Sequence, residues 1–469
     1  MRVTLQVLAG PHAGKEFAFD GHATFLVGRS EKSHLPLPAK DPYFSRFHFL
    51  MEVNPPRCRV MDLRSRNGTF VNGRKVESTD VGDGDEIKAG HTVFRVTVVA
   101  DEPAAADRPA DADSWEMPGP LPPTLVQKPE PARPVAAATF GTFRPNDPRW
   151  QAEPADPAAA GPCPVCQATA GAPPPDRPAL CAPCRREAAG RPQPIPGYQV
   201  VRELGRGGMG VVSLAVRAAD AAVVALKTVT PAIPATSADV KRFVREAQIL
   251  RQLDHPHIVA CRDAGDAGGV LFFAMDFVPG VDGERLVKRG GPLPVGRAVG
   301  LACQLLDALE YAHGRGYVHR DIKPANLLVA GRGPDEVVRL TDFGLARLYE
   351  ASSLSGITLA GQAGAAGTPA YMPPEHITDF RSAGPPADLY SAAASLYNLL
   401  TGRHVFDLGG LPIEGIILTV LQEQPVPIRQ RRPDVPGDLA AAIHRALAKE
   451  PADRFAGAGE MREALLPFR

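Results

Sequence analysis

His319-Arg320-Asp321-Ile322-Lys323-Pro324-Ala325-Asn326 is the stretch on which the reading of this chain turns. It sets a carboxylate, an ammonium and an amide within one short segment. As ordinary loop polar residues, Asp321 and Asn326 would need no special company. They have it on both sides. Upstream stand Leu204, the loop Gly205-Arg206-Gly207-Gly208-Met209-Gly210-Val211-Val212, then Val224-Ala225-Leu226-Lys227, and Glu246 in a helical stretch. Downstream come Asp342-Phe343-Gly344 and Pro373-Pro374-Glu375. A lone glycine-rich loop is weak evidence. The whole series, in this order and at these spacings, is not chance.

On those residues the region resembles the bacterial, eukaryotic-like serine/threonine protein kinases. The resemblance implies a bilobal α+β kinase fold over residues 198–469, with ATP and Mg²⁺ as cofactors and protein Ser/Thr hydroxyls as acceptors. It also implies the roles. Gly205, Gly207 and Gly210 let backbone close over the phosphates, and Lys227 holds the α- and β-phosphates while pairing with Glu246. Asn326 and Asp342 hold Mg²⁺. Asp321 accepts or orients the proton of the acceptor hydroxyl, with Lys323 at the transferring phosphate. Leu204, Val212, Ala225 and Leu328 sandwich the adenine, and Met275, Asp276 and Val278 lie at the hinge. Lys323 two places beyond Asp321, and Gly367-Thr368-Pro369-Ala370-Tyr371, follow the Ser/Thr rather than the tyrosine pattern. Arg320 implies control by phosphorylation of the activation segment, where Ser352, Ser353, Ser355 and Thr358 are candidate phosphosites. Asp388 and Arg454 occupy large-lobe anchoring positions, and Arg454 is expected to pair with Glu375. Ala393 stands where relatives often have glycine, which should alter packing slightly. The rival reading, a catalytically inactive phosphopeptide-binding scaffold, finds no catalytic position vacant.

Residues 1–100 read as an all-β sandwich. Short alternating runs (Val3-Leu5-Val7, Phe17-Phe19, Phe25-Val27, Phe47-Phe49-Met51) are broken by Gly, Pro and Asn-Gly. Gly28-Arg29-Ser30, Ser45-Arg46-Phe47-His48, Ser65-Arg66-Asn67-Gly68-Thr69 and Val71-Asn72-Gly73 each have a bland reading as turns or strand ends. As an ordered set they resemble the forkhead-associated (FHA) domain, which captures phosphothreonine. By that resemblance Arg29 and Ser45 bind phosphate, Arg46 and Asn67 hold the neighbouring backbone, and His48 buttresses the Ser45 loop. Asn72 is either a peptide contact or a turn residue. Such a domain would serve substrate recruitment or autoregulation, its partners being phosphothreonine proteins, this chain included.

Between these regions, residues 101–157 are rich in Pro, Ala and Asp without hydrophobic periodicity, and read as a disordered linker. Within residues 158–190, Cys163-Pro-Val-Cys166 and Cys181-Ala-Pro-Cys184 form two C-x-x-C knuckles fourteen residues apart. That pattern suits a structural Zn²⁺ held by four thiolates. A redox C-x-x-C would need a βαβ setting that is missing here. The chain has 469 residues and seven cysteines, with 52 basic balanced by 52 acidic side chains. Zero net charge removes the electrostatic case for a nucleic-acid binder. No apolar run of about 18 residues suggests a membrane span. The expectation is a cytoplasmic enzyme.

Overall fold

The computed structural model describes residues 2–20, 23–30, 33–37, 41–54, 57–99, 163–167, 180–207, 210–229, 250–343, 369–378 and 383–469. Glu246, Gly344, Thr368, the linker and the candidate phosphosites Ser352, Ser353, Ser355 and Thr358 lie outside the described residues.

Alternation builds the first domain. In β1 (Arg2–Ala9), Val3, Leu5 and Val7 are buried while Arg2 and Gln6 are exposed, the period of two expected of a strand with one covered face. One sheet runs β2 (Glu16–Asp20), β1, β11 (Thr92–Val99), β10 (Glu86–Ala89), β7 (Thr69–Val71), β8 (Arg74–Val76). The other runs β4 (Leu35–Pro36), β3 (Ala23–Gly28), β5 (Phe49–Asn54), β6 (Arg57–Asp62), β9 (Ser78–Val81). Val3, Leu5, Phe25, Val27, Phe49, Met51, Val60, Ile87 and Phe94 form the core between them. Asn72 and Gly73 both have positive φ, 50° and 79°. They make the two-residue β7–β8 hairpin that Asn-Gly favours.

The small lobe is a five-stranded antiparallel sheet, β12 (Tyr198–Gly207), β13 (Gly210–Arg217), β14 (Val223–Val229), β16 (Val270–Asp276), β15 (Cys261–Ala267). Three of the four cysteines of the two knuckles lean on it. Cys163, Leu180, Cys181, Cys184 and Ala188, the last two in α1 (Ala182–Ala188), share one apolar cluster with Val201 and Val216. Val200 and Ala215 face the opposite side.

The large lobe is helical: α2 (Gly283–Gly290), α3 (Val295–His313), α4 (Pro374–Thr378), α5 (Pro385–Thr401), α6 (Ile413–Gln422), α7 (Ile428–Arg431), α8 (Gly437–Ala446) and α9 (Ala458–Leu465). A small sheet, β17 (Gly280–Asp282), β18 (Leu327–Ala330), β19 (Val337–Leu340), lies across it. Asp282 caps α2 by accepting from Arg285 N–H at 2.8 Å. The helical spacing of Ala298, Leu301, Ala302, Leu305, Leu306 and Leu309 buries one side of α3 in the main core. In α5 the chain is buried from Ala387 to Leu400, Ala393 included. Among the described residues no helix is long and apolar enough to cross a membrane.

Arg454, whose side chain is fully buried, forks onto Glu375 of α4, its Nη2 donating to Oε2 at 2.8 Å. It also donates to the carbonyls of Pro386 and Ala448. A buried charge stripped of its partner is costly. Glu375→Ala should therefore lower stability by about 3–5 kcal/mol, read as the shift in denaturant midpoint. A loss below about 1 kcal/mol, the range of a surface pair, would contradict this assignment.

Candidate functional site

Asp388 is fully buried at the start of α5 and organises the catalytic-type loop through the backbone. Its Oδ2 accepts from His319 N–H at 2.7 Å and its Oδ1 from Arg320 N–H at 2.8 Å. His313 Nε2 donates to Oδ2 at 2.9 Å. Burial pushes the Asp388 carboxyl up, but the hydrogen bond and charge of His313 and the backbone hydrogen bond from His319 outweigh it, leaving the group below the usual carboxylate range. Arg320 is held at φ 67°, a left-handed conformation that non-glycine residues seldom adopt without such fixing.

His319 carries the order onward. Its Nδ1 accepts from Asp321 N–H at 3.2 Å and its Nε2 donates to Thr341 O at 2.9 Å, joining the loop to the strand end before Asp342. The His319 ring also meets Phe343 edge-on, with centroids 4.6 Å apart. Lys323 Nζ donates to Asp321 Oδ2 at 2.8 Å and to Oδ1 at 3.1 Å. Asn326 Nδ2 donates to Asp321 O at 2.7 Å and to its Oδ2 at 3.2 Å. Asp321, Lys323 and Asn326 are thus brought together as one cluster.

Lys227 stands in the middle of β14, registered against Val212 of β13 and Phe273 of β16. Its side chain is 7% exposed and its Nζ lies 2.8 Å from Asp342 Oδ2. Burial raises the Asp342 carboxyl, yet the Lys227 charge and hydrogen bond prevail and hold it low. Among the described residues this is the ion pair of Lys227; its expected partner Glu246 lies outside them. Asn326 has its amide nitrogen committed to Asp321, which leaves its carbonyl oxygen to act as an acceptor. With Asp342 Oδ1 it offers the hard oxygen donors that suit Mg²⁺.

Above this cluster, Gly210 has φ +132° and an added Cβ would stand 2.0 Å from Thr228 O. Only glycine lets β13 approach β14 so closely there. Gly205 and Gly207 close the β12–β13 ladder opposite Val212 and Gly210. Leu204, Val212, Ala225 and Leu328 are half-buried, and Met275 is buried with Asp276 and Val278 following it.

A second group of loops gathers at one end of the sandwich. Gly28-Arg29-Ser30 runs against Ser45-Arg46, with Arg29 N–H donating to Ser45 O at 3.1 Å and Ser30 N–H to Arg46 O at 3.0 Å. A Cβ on Gly28 would stand 2.1 Å from Arg46 O, so this approach needs glycine. Ser45 Oγ accepts from Arg66 N–H at 3.0 Å, and Asn67 Nδ2 donates to Tyr43 O at 2.8 Å. Arg29, Arg46 and Asn67 are exposed beside Ser45. Two acids missed by the sequence reading hold these loops. Buried Asp41 accepts from Tyr43 N–H and His91 N–H, and Asp62 accepts from Ser65 and from Thr69 Oγ1. Aspartate preceding a turn was the available signal. Asn72 is engaged within the fold, its Nδ2 donating to Asp85 and its Oδ1 accepting from Glu86 N–H.

The four thiols Cys163, Cys166, Cys181 and Cys184 have sulfurs all within 4.8 Å of one another. Cys166 Sγ is 3.3 Å from Cys181 Sγ and 3.6 Å from Cys184 Sγ. Zn–S bonds of about 2.3 Å in a tetrahedron need edges of about 3.8 Å, so the donor set fits.

His48 is fully buried, its Nδ1 accepting from Ser45 N–H at 3.0 Å and its Nε2 facing Gly68 O at 3.2 Å. Burial moves its pKa below the ordinary 6.5. The neutral ring then contributes stability that is full above pH 6.5 and is lost as pH falls through its lower folded value. Imidazole NMR should show His48 as the neutral Nε2–H tautomer at pH 6.5, titrating only under more acid conditions. A midpoint above 6.5 would contradict this.

Comparison with known proteins follows the same division. A protein kinase domain model matches residues 198–464 and an FHA domain model matches residues 25–90. Serine/threonine-protein kinase PknJ of Mycobacterium tuberculosis is 39% identical over 269 residues, covering 57% of this chain and 44% of that protein. Serine/threonine-protein kinase pkn3 of Myxococcus xanthus is 37% identical over 276 residues, covering 57% of this chain and 49% of that one. The chain thus spans about half the length of these curated relatives or less. Among solved structures, the Mycobacterium tuberculosis PknI kinase domain matches at 31% identity and a TM-score of 0.47, over 60% of this chain and all of that one.

Proposed function

From the premise that this chain belongs to the protein kinases, we propose that it transfers the γ-phosphate of ATP to serine and threonine hydroxyls of proteins, guided by a phosphothreonine-reading domain. The observation that carries this reading is the cluster in which Lys323 and Asn326 both donate to Asp321 while Lys227 pairs with Asp342.

Phosphoryl transfer asks the protein for position and charge neutralisation more than for covalent chemistry. Asp321, fixed through its backbone by His319, orients the acceptor hydroxyl and takes up its proton. Lys323, already at its carboxylate, neutralises charge where the phosphoryl group passes. Lys227 holds the α- and β-phosphates, and the β12–β13 glycines keep side chains clear of them. Met275, Asp276 and Val278 meet the adenine edge, with Leu204, Val212, Ala225 and Leu328 on its faces. Asn326 and Asp342 would hold Mg²⁺, which when bound neutralises phosphate charge. In the N-terminal domain Arg29 and Ser45 bind the phosphate of a phosphothreonine peptide, while Arg46 and Asn67 hold its backbone. The four thiols would hold Zn²⁺, which when bound would tie the knuckles together as a mount on the small lobe.

Two outcomes test these roles. Asp321→Asn should cut turnover about 10²–10⁴-fold with the melting temperature unchanged, and Arg29→Ala should remove phosphate-dependent peptide binding by the same chain without changing turnover on an unprimed peptide. Near-normal turnover in the first variant, or equal binding of phosphorylated and unphosphorylated peptide by wild type, would refute the corresponding half.

The purified chain should carry about one zinc, falling to background in Cys163→Ser/Cys181→Ser by elemental analysis. A full zinc signal in that variant would place the metal elsewhere.

A further inference from the structure

The sandwich carries two apolar faces where its own core needs one. Along β3, Phe25 and Val27 face the sandwich core while Leu26 between them belongs to another cluster. Along β5, Phe49, Met51 and Val53 face in and Leu50 faces out. An outward strand position on a free sheet is ordinarily polar. Yet Leu26 is 0% and Leu50 1% exposed, because with Phe47 and Leu63 they are continuous with the large-lobe core, Met61 packing beside them. β3 packs directly on α4, the helix that closes the activation segment and carries Glu375. The Arg64 guanidinium reaches α6, its carbon 3.3 Å from where a Cβ on Gly415 would stand.

The neighbours of these residues are the reading loops. Phe47 follows Arg46 and is buried; Leu63 and Arg64 precede Ser65-Arg66-Asn67. Arg29, Arg46 and Asn67 nonetheless remain exposed with the sandwich seated on the large lobe. Apolar contact holds the seat and the phosphate-reading side chains take no part in it. Being on one chain adds an effective concentration that can reach the order of millimolar.

We propose that the outer face of the β3–β5–β6 sheet is a docking surface for the large lobe of the same chain, needing no phosphate, and that the docked domain keeps its reading loops free for a second protein. The second half rests on the phosphothreonine reading above. The partner so defined is a protein already carrying phosphothreonine, presented to a kinase whose reader is seated rather than swinging freely.

The test is small-angle scattering of the phosphatase-treated full chain as wild type, Arg29→Ala, Leu26→Asp/Leu50→Asp, and Gly415→Trp, the last wedging the contact from α6 against Arg64 without altering any residue of the sandwich. Wild type and Arg29→Ala should superimpose at all concentrations, and the double variant and Gly415→Trp should both show a larger radius of gyration. Wild-type and Gly415→Trp chains should bind a phosphothreonine peptide within about twofold of each other, since reading and docking use different side chains. Several results overturn the docking: a wild type as extended as Gly415→Trp, a Gly415→Trp as compact as wild type, expansion in Arg29→Ala, or compaction only at high concentration, which marks a second copy. A compact wild type that binds no phosphothreonine peptide overturns the reading and the second half, leaving the docking in place. A peptide affinity that rises at least tenfold in Gly415→Trp overturns the second half alone, because the seated loops would then be obstructed.

Discussion

One buried carboxylate sets the geometry on which the rest depends. Asp388 cannot reach water, so its oxygens must be satisfied from within, and they are satisfied by the backbone of His319 and Arg320 and by the His313 ring. That requirement fixes the loop more rigidly than packing of small polar side chains could. It holds Arg320 at positive φ and aims Asp321 toward Lys323 and Asn326. It also fixes His319, which ties the loop to Thr341 and so to Asp342. Asp342 in turn reaches the small lobe through Lys227. The two lobes are therefore joined at the site by a run of hydrogen bonds beginning at a carboxylate in the large-lobe core.

The flanking units are attached by a different force. The thiol knuckles sit on Val201 and Val216, and the sandwich sits on the large lobe through Leu26, Phe47, Leu50 and Leu63. Apolar contact of this kind is nondirectional and tolerates small shifts, whereas the polar network at the site does not. Precision is concentrated where chemistry needs it, and the appended units are carried by burial.

Much of this was legible in the residues. The order of motifs placed Asp321, Lys323, Asn326, Lys227 and Asp342 in one region, and Arg454 was matched to Glu375 across 79 positions. Alternation marked the sandwich strands, and Asn72-Gly73 marked its hairpin. The Lys227–Asp342 contact was not foreseen, because the motif pattern names Glu246 as the lysine's partner and says nothing of which carboxylate it meets. Asp41 and Asp62 were missed because a turn aspartate looks alike whether it caps one amide or organises a whole loop. The outer face of β3 was the hardest. Phe25-Leu26-Val27 reads simply as an apolar run, and a run does not say what covers its second side.

The measurement that bears most directly on the account is transfer of radiolabel from [γ-³²P]ATP by the purified wild-type chain, with and without Mg²⁺, followed by phosphoamino-acid analysis of a general protein substrate. The account predicts Mg²⁺-dependent label recovered as phosphoserine and phosphothreonine. Label recovered as phosphotyrosine, or none above background in a folded chain, would contradict it.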